Sequence, residues 1–387
     1  MPPWKNPVLS KAVRWCFCEL PPVRLMWVLA LLTGTLLIAG CKTSLISSPS
    51  HFSRFIGLDD FSGFTCGRDS SDHRVLLSPF IKSPISWNEL IVSWNAEAPI
   101  GTGLKVEAAG ISAGHRTGFY TLGEWSPDAV IFPRTSLGRQ RNADGTVNTD
   151  TLELNQPASA VQIRLTLEGT NAALPKLRFL SLSFSNTKAH TVLPRPETAA
   201  RAREIATPER SQHGYPGNAG WCSPTCLSMV LARWAQVLDR PELDLTVPQV
   251  AAAVYDRDYR GTGNWSFNTA FAGSFAGLRS YVTRFDDLSE VEAWIASGIP
   301  VILSARWDWL EPGRPPSPEG HLIVCRGFTE NGDVVVNEPA AHLDRGETVR
   351  RVYRRENVRR AWAASGNTVY LVYPENATVP PDRLGHW

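Results

Sequence analysis

The chain has 387 residues, with 39 Lys and Arg against 37 Asp and Glu, for a formal net charge of +2. So even a balance gives no electrostatic reason to bind nucleic acid, and 43% hydrophobic residues with 14 Trp exclude a disordered chain. The length exceeds what one average domain needs and accommodates two.

The first element is an address. Lys5, Lys11, Arg14 and Arg24 precede an uncharged run from Leu25 to Gly40. That run is shorter than the roughly 20 residues of a spanning helix and fits the apolar region of a secretory signal. It stops at Ile38-Ala39-Gly40-Cys41, which resembles the lipobox of bacterial lipoproteins. The resemblance implies that residues 1–40 are removed and that Cys41 carries lipid, anchoring the protein to a membrane. Lys42 follows where an Asp would favour the inner membrane, so the implied location is the outer membrane, facing the periplasm. An uncleaved anchor is the other reading. Both put the folded part outside the cytoplasm, beyond a polar tether over 41–51. Cys66, Cys222, Cys226 and Cys325 then sit in an oxidising compartment, where idle thiols tend to pair. Spacing alone assigns no disulfide, and a catalytic thiol has to stay free.

Residues 52–187 read as β structure. Val161, Ile163, Leu165 and Leu167 alternate with polar neighbours, as do Leu180, Leu182 and Phe184 with serines. One-face-buried strands separated by Gly, Pro and Asn/Asp turns predict an all-β sandwich or jelly roll. Core packing accounts for its Trp87, Trp94 and Trp125. Residues 188–207 are polar and Pro-interrupted and read as a linker. From 208 to 376 helices come first and strands after, an α+β order, and 377–387 is a tail. In this region Cys222 opens an apolar helical run, and Thr246 with Gln249 forms a capping box. Asp287, Glu290 and Gly298 bound another helix. "GHLIVCRGF" and "DVVVNEP" read as strands joined at Asn331-Gly332.

The chemistry centres on Cys222. A helix N-terminus and a nearby imidazolium both stabilise a thiolate, and Pro224 is tolerated early in the helix. His321 begins one strand and Asn337 ends its neighbour. Adjacent antiparallel strands lie about 4.8 Å apart, so the Asn is expected to reach the imidazole. That gives nucleophile, base and orienter. Of the nearby tryptophans, Trp221 is the one expected to line a substrate groove. The rival is zinc, with Cys222-x-x-x-Cys226 and His321-x-x-x-Cys325 read as one site. Four residues along a strand span about 13 Å, too far to share an ion, so zinc requires 321–325 to be helical.

"SQHGYPGNAGWCSPTCLSMVL", "GHLIVCRGF" and "VVVNEP" resemble the papain-like cysteine peptidases, in the branch of the double-glycine leader peptidases. The resemblance covers about Gln212 to Tyr373. It implies Gln212 as an oxyanion-hole donor, Cys222 as nucleophile, His321 as acid and base, and Asn337 as orienter, with no cofactor or metal. Ser223 departs from the usual Gly, and Cys226 stands where a small polar residue is common. The implied reaction is hydrolysis of a peptide or cell-wall amide through a thioacyl intermediate. The alternative is a lipoprotein that keeps this fold for binding only.

Overall fold

The computed structural model describes residues 51–112, 114–169, 173–190, 200–218, 220–317 and 320–387. The apolar run at 25–40 and Cys41 lie outside them. These described residues form one compact unit, α+β in class, built on two antiparallel sheets.

The first sheet holds ten strands: β1 (His51–Leu58), β2 (Thr65–Arg68), β3 (Arg74–Leu77), β4 (Ile81–Glu97), β5 (Gly103–Ser112), β6 (His115–Arg116), β7 (Tyr120–Trp125), β8 (Gly145–Asn148), β9 (Thr151–Glu168) and β10 (Lys176–His190). Its main order is β1-β10-β4-β9-β3-β2, and β9 also pairs with β5 and β8. The alternation in β9 buries Val161, Ile163, Leu165 and Leu167, and Trp87, Trp94 and Trp125 are buried with them. The serines of β10 do not face water. Ser181, Ser183 and Ser185 are at most 2% exposed, because this face meets the rest of the chain. Small hydroxyl side chains let a second layer of backbone approach. The Val282 amide donates to Ser93 Oγ, and Ser53 Oγ donates to the Arg284 carbonyl.

The second part carries helices α1 (Cys222–Leu238), α2 (Val247–Val254), α3 (Trp265–Gly273), α4 (Leu288–Ala296) and α5 (Arg355–Ala363). Its strands are β11 (Arg203–Glu204), β12 (Leu278–Arg284), β13 (Val301–Arg306), β14 (Gly320–Phe328), β15 (Val334–Asn337), β16 (Arg350–Tyr353) and β17 (Thr368–Pro374). They run β12-β17-β13-β14-β15-β16, with β11 added on β14. Both expected capping boxes form, at Thr246/Gln249 and Asp287/Glu290. The end of the expected linker is therefore a strand of the second sheet.

The two parts share their interiors. Phe267 and Ala270 of α3 lie in the apolar core of the first sheet, while Ile91 and Phe179 lie in the core of the second. Asp150, in the turn before β9, accepts the Trp265 amide at 2.5 Å and so caps α3 from outside its own part.

The segment expected as a tail is built in. The Phe55 amide donates to the Gly385 carbonyl, and Trp387 packs its ring against Phe285 and Trp294. His386 is fully buried, with Nδ1 2.6 Å from Glu290 Oε1 and Nε2 3.2 Å from the Ser53 carbonyl. Burial pushes the imidazole down, but the Glu290 hydrogen bond and the Glu290 and Asp286 charges outweigh it and raise its pKa. A pKa above the unfolded value means the stabilisation is full below pH about 6.5 and is lost as pH rises through the folded value. His386→Ala is expected to lower Tm by a few degrees at pH about 6, in keeping with about 2 kcal/mol for a hydrogen bond to a charged group. The Tm gap to the parent should narrow in alkali. Thermal unfolding across pH checks this, and a gap that widens in alkali would refute it.

Candidate active site

Gly220 at φ 74° turns the chain into α1, so that Cys222 is its first residue. No side chain caps this end, which leaves the first-turn amides directed at whatever charge lies at Cys222. Ser223 is buried and shares a 3.0 Å hydrogen bond with the Tyr370 hydroxyl of β17, which accommodates a side chain where the family pattern has Gly.

His321, on β14, is 5% exposed and lines the same cavity as Cys222. Its Nε2 lies 2.6 Å from Glu338 Oε1, which leaves Nδ1 as the ring atom for the thiol. Glu338 is 1% exposed and accepts the Ala340 amide at 2.9 Å on the same oxygen. Burial opposes charge on both partners, yet each holds the other ionised. The Glu338 charge raises the His321 pKa well above the ordinary imidazole value, and the imidazolium lowers that of Glu338.

Asn337 does not take part. The register pairs Val324 with Asn337, so Asn337 shares the sheet face of Val324 and lies opposite the face of His321. Its Oδ1 accepts from Arg326 Nη1 at 2.9 Å, and its Nδ2 donates to the carbonyls of Thr207 and Pro208 at 3.3 and 3.0 Å. The expected orienter is thus replaced by the next residue, Glu338, which strand alternation turns toward His321.

Gln212 lines the same cavity of about 540 Å³ as Cys222, His321 and Glu338. Two bonds from its loop hold it there: its amide donates to the Pro339 carbonyl at 2.8 Å, and Ser211 Oγ donates to the Ala341 carbonyl at 2.7 Å. Gln212 Oε1 is buried without a hydrogen-bond partner among the described residues. Trp307 and Arg314 close another wall. Trp221 stands outside the lining and stacks on Tyr215 with centroids 6.1 Å apart, so the groove tryptophan is Trp307. His213 and His342 stack face to face at 3.7 Å on the edge of the cavity.

The other thiols are placed for packing. Cys226 and Cys325 are fully buried, and burial pushes the first well up and the second to about 12. All four described cysteines are free, and Cys66 is the exposed one. Residues 321–325 are strand, which denies the zinc reading the helix it requires.

Sequence reasoning missed Glu338, Tyr353 and Arg314, and passed over Trp307 in favour of Trp221. Glu338 carried a signal, since it is a carboxylate beside Asn337 and strand alternation turns it to the other face. Arg314 carried none, since it lies in an irregular Pro-rich segment whose path the sequence does not specify.

The profile of the C39 peptidase N-terminal domain matches residues 65–185, and that of the C39-like peptidase family matches residues 204–370. The first of these takes in the β region that the resemblance read from motifs left out. No curated protein matches the chain. A solved structure described as a C39-like peptidase from Bacillus anthracis is 13% identical with a TM-score of 0.35, covering 46% of this chain and 99% of its own, and at that similarity it adds no weight. With both parts of the chain matched by C39 profiles, the protein belongs to the C39 family of papain-like cysteine peptidases.

Proposed function

We propose that the protein hydrolyses peptide or cell-wall amide bonds with Cys222 as nucleophile, His321 as acid and base, and Glu338 as the carboxylate that orients and charges the imidazole. The observation that carries this is one cavity wall that brings together Cys222, at the start of α1, and the buried His321, whose Nε2 lies 2.6 Å from Glu338 Oε1. Cys222 passes its thiol proton to His321, whose imidazolium Glu338 stabilises. Sulfur attacks the scissile carbonyl, and its electron pair moves onto the oxygen. The Cys222 amide and the Gln212 side-chain amide are the donors for that oxyanion, each worth roughly 3 kcal/mol in such sites. The C–N bond then breaks as His321 gives its proton to the departing amine, leaving a thioester. Neutral His321 takes a proton from water, hydroxide displaces the sulfur, and acid product and thiolate–imidazolium pair are restored.

The signal-like run ending at Cys41 supports a lipid anchor that holds this activity at the cell envelope. The ten-stranded first sheet, with its enclosed tryptophan core, is read as a sandwich that braces the catalytic part.

The test is a digest of a defined mixture of linear and cross-linked envelope peptides, compared by mass spectrometry between the full-length chain and its Cys222→Ala variant. New termini formed by the parent alone support the proposal. Peptides retained by both proteins and cut by neither would make the chain a binding protein.

A further inference from the structure

His321 engages one oxygen of Glu338, and the second oxygen is also held. Tyr353, which ends β16, donates its hydroxyl to Glu338 Oε2 at 2.6 Å. Tyr353 is 2% exposed and lies outside the cavity lining. The direction of its hydroxyl is set from behind. Arg314 Nη2 donates to the Tyr353 oxygen at 3.1 Å and to Glu311 Oε2 at 2.7 Å. With a lone pair of the phenol engaged by that donor, its hydrogen is left for Glu338. The Arg314 side chain is 10% exposed, its guanidinium lies over the Trp307 ring at 4.4 Å, and its charge stands 3.9 Å from Glu338 Oε2. Arg351 completes the charged surroundings, 3.7 Å from Glu311 and paired with Glu347.

A buried carboxylate with one free oxygen would have two ways to fail. It could rotate away from the imidazole, or burial could drive it to the neutral acid, which no longer stabilises an imidazolium. The phenol blocks both, since it fixes Oε2 and donates to the charged form. We infer that Tyr353, with its hydroxyl oriented by Arg314, is a positioning residue that keeps Glu338 ionised and aimed at His321. This rests on the Cys222–His321–Glu338 reading above.

The experiment follows alkylation of Cys222 by iodoacetamide in the full-length chain, from neutrality down through the carboxylate range, with peptide mapping and exposed Cys66 as internal reference. The parent is compared with Tyr353→Phe, Arg314→Met and Glu338→Gln. Tyr353→Phe is expected to move the acid fall-off of the Cys222 rate up by about one pH unit, and Arg314→Met to move it the same way by less, with Cys66 unchanged. Loss of packing alone would not move that limb. If Glu338→Gln alters the Cys222 profile while Tyr353→Phe overlays the parent, the inference is overturned and the catalytic reading stands. If Glu338→Gln also overlays the parent, the catalytic reading fails and takes this inference with it. Should Tyr353→Phe not fold, an unmoved limb in Arg314→Met overturns the inference on its own.

Discussion

Cys222→Ala is expected to remove peptide cleavage altogether, and His321→Ala to lower kcat by roughly 10³-fold or more, with KM changed far less. The split follows from geometry. Neither substitution touches Gln212, Trp307 or the free amides of the first turn of α1, so the cavity that receives substrate persists. What disappears is the bond-forming sulfur in the first variant and the proton donor for the leaving amine in the second. Cys226, one helical turn away, offers no substitute, because it is fully buried with its thiol pushed well above the ordinary range. Steady-state kinetics on a peptide cleaved by the parent would check both values. A His321→Ala variant that kept its kcat would remove His321 from the mechanism.

Glu338→Gln is expected to cost roughly 10²–10⁴ in kcat, whereas Asn337→Ala should leave kcat per folded molecule close to the parent. The Gln keeps the shape and one acceptor oxygen and loses the charge. The sign of the pH effect is fixed by which form the charge favours. Glu338 holds the His321 proton on well above the ordinary imidazole value, so the imidazolium needed by the leaving group survives past pH about 6.5. The alkaline limb of kcat/KM therefore lies well above that value in the parent and should fall toward it in Glu338→Gln. Asn337→Ala instead leaves the Arg326 guanidinium and two carbonyls without their buried partner. That is a stability loss of about 1–3 kcal/mol, read as a drop in Tm. The pH–rate profile and thermal unfolding separate the two variants, and an exchange of their behaviours would return the orienting role to Asn337.

Helices α2 and α4 were legible, because their starts and stops rest on local chemistry: Thr246 with Gln249, Asp287 with Glu290, and a glycine at φ 82° at position 298. Cys222 and His321 stood out in the sequence for a related reason, since each lies at the start of a recognisable element, whereas Gln212 came from the family resemblance alone. The orienting residue was not legible, and one inserted residue explains why. From Phe328↔Val334 and Gly327↔Val335, an unbroken ladder would pair Cys325 with Asn337 and put Asn337 on the face of His321. The bulge between Cys325 and Gly327 shifts the pairing to Val324↔Asn337 and reverses every side chain beyond it. The bulge lies where β11 joins the sheet: at Gly327 a side chain would meet the Arg203 carbonyl of this antiparallel neighbour, only 2.4 Å from where a Cβ would stand. No period in the residues 320–338 reports a strand arriving from residue 203. The serines of β10 mislead in the same way, since alternation shows that two faces differ but not that the second is covered. Trp307 and Trp221 are alike in residue type and in nearness to the catalytic elements, and packing alone selects between them.

His386 bonds the carbonyl of Ser53, 333 positions earlier in the chain. Closing so long a loop is entropically slow to achieve by random search, although the extra cost grows only as the logarithm of its length. Until residues near 386 are available, β1 has no partner for the Phe55 amide and Glu290 has no buried cation. Glu290 also caps α4, whose Trp294 packs on Trp387, so helix, strand and C-terminal segment have to settle together. A chain leaving the ribosome in sequence order would thus pass through a stage in which the cavity residues have all appeared but the final clasp has not. Such a protein would acquire its rigid form abruptly, once the segment around His386 is free to dock, rather than domain by domain as it is made.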